Sequence, residues 1–469
     1  MNFTSTRLPY RQTGAFNRIV LDYIDQAETA RPFYQHPPSV QGLQQAIASR
    51  KQFATNRSVL VEQLEKQYTA VAAEEAVAKN ILSLLSENTF TITTAHQNNL
   101  FTGPLYFIYK IIHVIKLADQ LNGLLPDQHF VPVYYIGSED ADLEELNHAW
   151  IGGDKLTWDT KQTGAVGRMV IDKALTKLID KAEGQLAVLP HGKEIITLLK
   201  ASYKEGKTIQ DATFHFVHRL FASFGLVVIL PDNASLKQQM IPVFEDDLLH
   251  QTASGIVEQA ADKLEQAGYK VQAHPREINL FYLQEDRRER IEAAGDSFVV
   301  VNTDIRFTNE ELLATLHTHP ERFSPNVILR GLYQETILPN IAFIGGGGET
   351  AYWLQLKDLF THYKVPFPVL VLRNSFLLVE KKWQAATAKL GFSTDDIFLP
   401  EQELLNLLVT KQSKNEMKLN GSLTELEKLY ELFRQQAGAI DTTLMQHVEA
   451  LKTKTVHRLQ ELEKKMLRA

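Results

Sequence analysis

The chain has 469 residues, 44% hydrophobic and 22% charged, enough for two or three domains around a large core. A net charge of −7 offers no basic field to recruit nucleic acid, and the absence of cysteine excludes a disulfide framework, a thiolate nucleophile and a thiolate metal site. No apolar run approaches the ~18 residues of a membrane span, and MNFTSTRLPYRQTG at the start has no apolar stretch after its charges, so the expectation is a cytoplasmic protein with no membrane partner.

Residues 1–88 read as mostly helical, with 58–87 one long Ala-rich periodic helix serving as scaffold. The β-branched run Thr91 to Thr94 reads as a buried strand. It breaks into the polar loop His96-Gln97-Asn98-Asn99, after which Gly103-Pro104 is expected to open an amphipathic helix that carries Tyr106. Strand, polar loop and helix N-terminus make an anion site in outline, because free N–H groups and the helix dipole favour negative charge. The plainer alternative is an ordinary turn of an α/β domain.

FVPVYYI, 130–136, is a second buried strand, leaving through Gly137-Ser138-Glu139-Asp140-Ala141-Asp142. Acids there can bind an ammonium group, a sugar hydroxyl or a magnesium–phosphate complex, although Asp142 serves equally well as a helix cap. His148 could be a ligand or base, or a structural hydrogen-bonder. Residues 149–172 read as a small hairpin insert. His215 and His218 sit at a metal-like spacing without a third ligand, which favours ordinary core or surface histidines.

GLVVILP, 225–231, is a third buried strand, leaving at Asp232-Asn233. A second β-like insert covers 271–301. Ser324-Pro325 reads as the start of a helix on which Asn326, Arg330 and Gln334 share a polar face, with Arg330 suited to a carboxylate. NIAFI, 340–344, is the fourth strand and runs into Gly345 to Gly348. These glycines match neither the dinucleotide fingerprint nor the P-loop, but they let a backbone approach a ligand, with Gly346, Gly347 and Gly348 as anion binders. Glu349, Tyr352 and Trp353 would face the same cleft. PVLVLR, 368–373, is the fifth strand, ending at Arg373-Asn374-Ser375.

Five buried strands alternating with helices define an α/β fold with a mainly parallel, Rossmann-like sheet core. All five strand exits carry polar residues, and their convergence is the main functional signal. From the capping-box pattern Ser422 to Glu425 a helix is expected to run on to the end. Its apolar stripe repeats every eleven residues from Ala437 to Met466, the pattern of a straight or slightly right-handed coiled coil. With no partner of equal length evident, the stripe suggests a homodimer.

The motifs TTAHQNNLFTGPLYFIYKIIHVIKLA, VPVYYIGSEDADLEELNH, HPREINLFYL, FSPNVILRGLYQETILPNIAFIGGGGETAYWLQLKDLF and PVLVLRNSFLLVE, in this order, resemble the bacillithiol biosynthesis cysteine-adding enzymes. The chain differs from that pattern at Ala95-His96-Gln97, where Gly and Gln are common, and at Gly345 to Gly348, where a Pro is common. Family members also usually continue past the point reached here by Ala469. The resemblance covers most of residues 1–412 and implies a nucleotidylyltransferase-like catalytic core over 1–412, with a dimerising coiled coil over 413–469. It also implies a reaction: amide formation between L-cysteine and the amino group of glucosaminyl malate.

Activation of the cysteine carboxyl calls for a nucleotide, ATP giving AMP or ADP. On this reading the catalytic residues are His96, Asp140, His148 and Glu349. Asn98, Asn99, Tyr106, Glu139, Asp142, Asn326, Arg330, Gln334, Tyr352, Trp353, Arg373 and Ser375 would bind substrate. Gly103 and Gly346 to Gly348 would hold phosphate, and Glu139, Asp140 and Asp142 would bind the amino groups or sugar hydroxyls, or a magnesium ion (Mg2+). The competing expectations are a nucleotidylyltransferase for another small substrate and a non-catalytic coiled-coil scaffold.

Overall fold

The fold is given by a computed structural model that describes residues 4–412 and 419–468. The chain divides into two compact units, one of them Asn17–Phe376 and the other the remaining described residues. The expected division between 412 and 413 borders residues 413–418, which, like Ala469, lie outside the described residues. The division at Phe376 comes earlier because the last sheet strand ends at Leu372, and an exposed segment leads from it to the next helix at Lys381.

In the larger unit, strands β1 (Thr89–Gln97), β2 (His129–Gly137), β3 (Val227–Ile229), β4 (Asn340–Gly345) and β5 (Val369–Leu372) form one sheet, parallel throughout, in the order β5-β4-β1-β2-β3. Phe90, Ile92, Phe130, Ile341, Ile344 and Val369 bury one face of it. That face packs on Leu43 and Ile47 of the helix Val40–Arg50 and on Val114, Ala118 and Leu121 of helix α1 (Tyr106–Leu124). Chain order reverses between β1 and β4, so the crevice at their carboxyl ends is the switch point where open α/β sheets bind ligands.

At the opposite end of these strands a buried polar network locks the sheet. Arg50 pairs with Glu335 at 2.7 Å, and Asn340 donates to Glu335 at 2.7 Å while accepting from Thr93 at 2.8 Å. Glu335 lies on helix α2 (Val327–Ile337). This helix starts later than Ser324-Pro325 suggested. Phe323–Pro325 is instead a strand paired with Leu280–Leu283, and the Asn326 side chain caps the helix at Ile328 N, 2.8 Å away.

Both inserts are β-structured. His148–Ile151 pairs with Asp154–Thr157 as a hairpin. The second insert is larger than 271–301, a five-stranded antiparallel sheet that reaches Pro325. The expected helix over 58–87 is two helices, Arg57–Tyr68 and Glu75–Ser83. Packing against the edge strand overrides helix propensity there. Gln67 bonds Val228 O at 2.8 Å and Leu230 N at 2.9 Å, and the Tyr68 hydroxyl accepts from Val228 N, so both side chains satisfy β3 where a sixth strand would lie.

The smaller unit holds the coiled coil, but not as one uninterrupted helix. Helix α4 (Asn420–Ile440) ends at Asp441, whose carboxylate accepts from Thr443 N and Oγ1 at 2.8 Å, and the chain turns back into helix α5 (Leu444–Arg468). Tyr430 and Thr455 then bond across the pair at 2.8 Å. The apolar stripe thus finds a partner of similar length inside the chain. Among the described residues no helix is long and apolar enough to cross a membrane.

Candidate functional site

The turn that follows β1 holds strained backbone. Phe101 and the β-branched Thr102 both take positive φ, 53° and 78°, followed by Gly103 at 60°. Such backbone persists only where its surroundings enforce it, and it clusters at functional sites. Gly103 has to be glycine, because a Cβ there would lie 2.6 Å from Asn99 Cβ. The strained turn delays the start of α1 from Gly103-Pro104 to Tyr106.

His96 lies edge-on to Tyr106 and Phe107, with ring centroids 5.5 and 5.4 Å away. Burial first, then the charges of Lys110 and Arg373, push its pKa well below the usual histidine value, so the imidazole is neutral near pH 7. Its Nε2 is shielded and has no hydrogen-bond partner among the described residues. The same holds for both amide atoms of Asn98, which is 1% exposed, and for Asn99 Oδ1 and Ser138 Oγ. Each buried polar group without a partner costs ~1–3 kcal/mol, so their concentration at the ends of β1 and β2 marks a surface built to be met by ligand or solvent.

Lys110 links the two sides of the switch point. Its ammonium group, 1% exposed, donates to Ala95 O at the end of β1 and to both carboxylate oxygens of Glu349, at 2.8 and 2.7 Å. Glu349 stands in the first turn of helix α3 (Gly347–Gln355), where its Oε2 also accepts from Gly346 N at 2.8 Å. The carboxylate is therefore fixed by Lys110 and Gly346 N, and it positions the glycine turn instead of serving as a free base. Arg373, from the end of β5, lies with its guanidinium 5.0 Å from the Tyr106 ring centroid and donates to Ser375 Oγ at 3.2 Å. A Cβ on Gly346 would come within 3.5 Å of Arg373 Nε, whereas one on Gly348 would meet nothing within 4 Å.

The end of β2 carries a second group of charges. Asp140 accepts from Gln97 at 2.9 Å and faces Arg330 of α2 at 3.6 Å. Burial alone would raise the Asp140 pKa, but Arg330, Gln97 and Arg288 outweigh it and hold the carboxyl below its usual range. Glu139 pairs with the buried Lys237 and accepts from Ser324 Oγ at 3.2 Å. Asp232 binds Arg168 through two contacts, 2.6 and 2.8 Å. Arg168 arrives on the first insert, whose backbone docks on this exit: Val166 N donates to Asp140 O and Gly167 N to Ser138 O. Arg288 arrives on the second insert and donates to Ser324 Oγ at 2.9 Å. The first insert is thereby anchored at the strand ends by the Arg168–Asp232 ion pair, and the second by the hydrogen bond from Ser324 to Glu139.

The residues singled out by sequence divide on this geometry. His96, Asn98, Asn99, Tyr106, Asp140, Arg330, Glu349, Arg373, Ser375 and the glycines lie at adjacent strand ends, and Tyr352 belongs with them, since Glu349 and Arg330 are among the charges acting on its hydroxyl. Trp353 does not. It is 2% exposed and stacks on Phe343 at 4.5 Å, in the core. Gln334 donates to Glu335 at 3.0 Å in the distant buried network. Asn326 is a helix cap that also donates to Asn279 at 2.9 Å, and Asp142 caps Glu145 N at 3.1 Å. His148 opens the hairpin, its Nδ1 3.3 Å from Asn147. Glu139, Asp140 and Asp142 do not assemble as a magnesium site, because each is already committed to cations or N–H groups. No group of three metal-binding side chains forms among the described residues.

Lys110, Arg168, Lys237 and Arg288 escaped the sequence reading. Lys110 alone left a signal: it falls in the helical register of Phe107, Val114, Ala118 and Leu121, a charge on an otherwise apolar face.

The strand order, the switch-point crevice and the polar strand ends define a doubly wound, Rossmann-like protein with a separate coiled-coil domain. The chain matches the family model described as bacillithiol biosynthesis BshC, N-terminal Rossmann-like domain over residues 1–374, and the BshC C-terminal coiled-coil domain over residues 376–469. Proteins named "Putative cysteine ligase BshC" are similar along nearly the whole length. The one from Flavobacterium psychrophilum is 40% identical over 98% of this chain and 87% of its own, and the one from Cytophaga hutchinsonii is 38% identical over 100% and 87%. The chain belongs to the bacillithiol biosynthesis BshC family.

Proposed function

We propose that this protein is a cytoplasmic ligase that joins the carboxyl of L-cysteine to the amino group of glucosaminyl malate, with ATP as the energy source. The observation that carries this reading is His96: a neutral imidazole with an unpartnered Nε2, held beside two cations at the switch point. A neutral imidazole whose Nε2 is free can accept a hydrogen bond from the attacking amine and take its proton as the amide bond forms. Asp140, kept ionised by Arg330 and Gln97, suits the ammonium group before proton loss. Arg373 suits a carboxylate, and an open arginine is well matched to the malate arm. The buried Lys110–Glu349 pair fixes the distance between the two strand ends.

The residues present fit a nucleotide phosphate. Gly347 and Gly348 open a nine-residue helix, space is open at Gly348, and Arg373 stands beside Gly346, so N–H groups and a guanidinium are available together. When bound, ATP would supply activation of the cysteine carboxyl. The names of the relatives support the cysteine ligase class. Incubating the protein with glucosaminyl malate, cysteine and ATP, with mass spectrometry of the thiol product and of the released nucleotide, tests the proposal. Absence of the amide product from active, folded protein would refute it.

A further inference from the structure

A cavity of 380 Å³ lies beside the end of edge strand β3, within the larger unit. It is walled by the helix Arg57–Tyr68, by the start of the helix Ile209–Phe221 and by the turn after β3. Its volume is in the ~300–1,000 Å³ range of small-molecule sites. Leu64, Leu230 and Leu236 supply apolar wall, while Gln63, Gln210 and Asp232 supply polar groups. No aromatic side chain lines it, and its one cation, Lys66, is engaged at 2.6 Å by Glu62.

The hydrogen-bond accounts of these groups differ. The Gln67 amide is consumed by the β3 backbone, and Asn233 is consumed by Leu236 N and Gln63 Oε1. Gln210 Oε1 is shielded from solvent and has no partner among the described residues. Gln63 uses only its oxygen, so its NH2 group remains to donate. A donor, an acceptor and a neighbouring carboxylate against an aliphatic wall match a ring that carries adjacent hydroxyls, each of which donates and accepts at once.

We propose that this cavity binds an uncharged ring with vicinal hydroxyls, either the pyranose of a sugar or the ribose of a nucleoside. Asp232 gives the cavity a physical link to the strand-end charges, because the same carboxylate is held by Arg168 at 2.6 Å and by Lys237 at 3.5 Å. Occupancy here would therefore be felt at Glu139, the other partner of Lys237.

The test is saturation-transfer NMR and calorimetric titration of the full-length protein with methyl glucoside, adenosine and 2′-deoxyadenosine. Binding of the glucoside alone identifies the pyranose source. Binding of adenosine, with deoxyadenosine at least tenfold weaker, identifies the ribose. Gln210→Leu and, separately, Gln63→Leu should each weaken the bound ring about tenfold while the melting temperature stays near wild type. Binding of none of the three, or undiminished binding in both variants, overturns the proposal. The readout needs no amide formation, so its failure and failure of the ligase reading are told apart.

Discussion

Lys110 Nζ lies 2.7 and 2.8 Å from the two carboxylate oxygens of Glu349, and the same nitrogen donates to Ala95 O near the end of β1. One side chain of α1 thereby ties together the two strands on either side of the switch point. Replacing it with methionine leaves Glu349 partly buried without its cation. Removing one member of a buried pair costs ~3–5 kcal/mol, and the 26% exposure of the Glu349 side chain argues for the lower part of that range. Lys110→Met should lower the urea midpoint accordingly, whereas Lys110→Arg should restore part of the stability. An unchanged midpoint in the methionine variant would show that the pair does not hold the strand ends.

His96 gives a prediction with a defined sign. Its folded pKa lies well below the ordinary value near 6.5, so between those two values the unfolded chain binds more protons than the folded one. Stability should therefore fall as pH drops below about 6.5 and should level off above it. In His96→Gln that contribution disappears, and the slope of unfolding free energy against pH between about 5 and 6.5 should flatten. The same variant should lose amide formation by a factor of ~10²–10⁴, the usual worth of a general base. Denaturation at a series of pH values, set beside single-turnover rates, checks both halves.

How far the sequence exposes this site depends on what kind of interaction makes it. Strands β1 to β5 are all legible because they are short apolar runs between polar breaks, and β-sheet burial produces that pattern directly. His96, Asp140 and Arg373 are legible because they follow such runs. Arg168 and Arg288 are not, because they reach the strand ends from inserts whose docking depends on long-range contacts such as Gly167 N to Ser138 O. Trp353 and Gln334 mislead for the opposite reason: helical spacing gives a side chain's face but not what covers that face, and here other core elements do. The break at Asp441 was hidden because the apolar stripe continues through the turn, keeping its spacing while the backbone reverses.

Asp140 should behave as a charge held for use. Its carboxyl is depressed by Arg330, Gln97 and Arg288, so its stabilising contribution is complete above the unfolded value near 3.9 and is lost as pH falls through the lower folded value. Asp140→Asn removes the partner 3.6 Å from Arg330 while keeping the side chain's shape. Product formation should fall at least a hundredfold, and the acid limb of the stability profile should become shallower. Turnover at the wild-type rate would remove Asp140 from the reacting site.

The coiled coil predicts association even though its helices pair within the chain. Leu429, Leu432 and Phe433 are exposed at 44%, 56% and 44%, and their three- and one-residue steps put them on one face of α4. On α5, Leu451 and Leu462 are also exposed, eleven residues apart and hence on one face in the same helical phase. A hairpin that leaves apolar side chains outward on both arms has buried only part of its stripe, and pairing with a second copy would remove the remainder from water at ~25 cal/mol per Å². We expect a homodimer in light scattering after size exclusion. Combining Phe433→Glu with Leu451→Glu should shift the mass to that of a monomer while helix content by circular dichroism stays unchanged. A wild-type protein that stays monomeric at high micromolar concentration would rule out association through this surface.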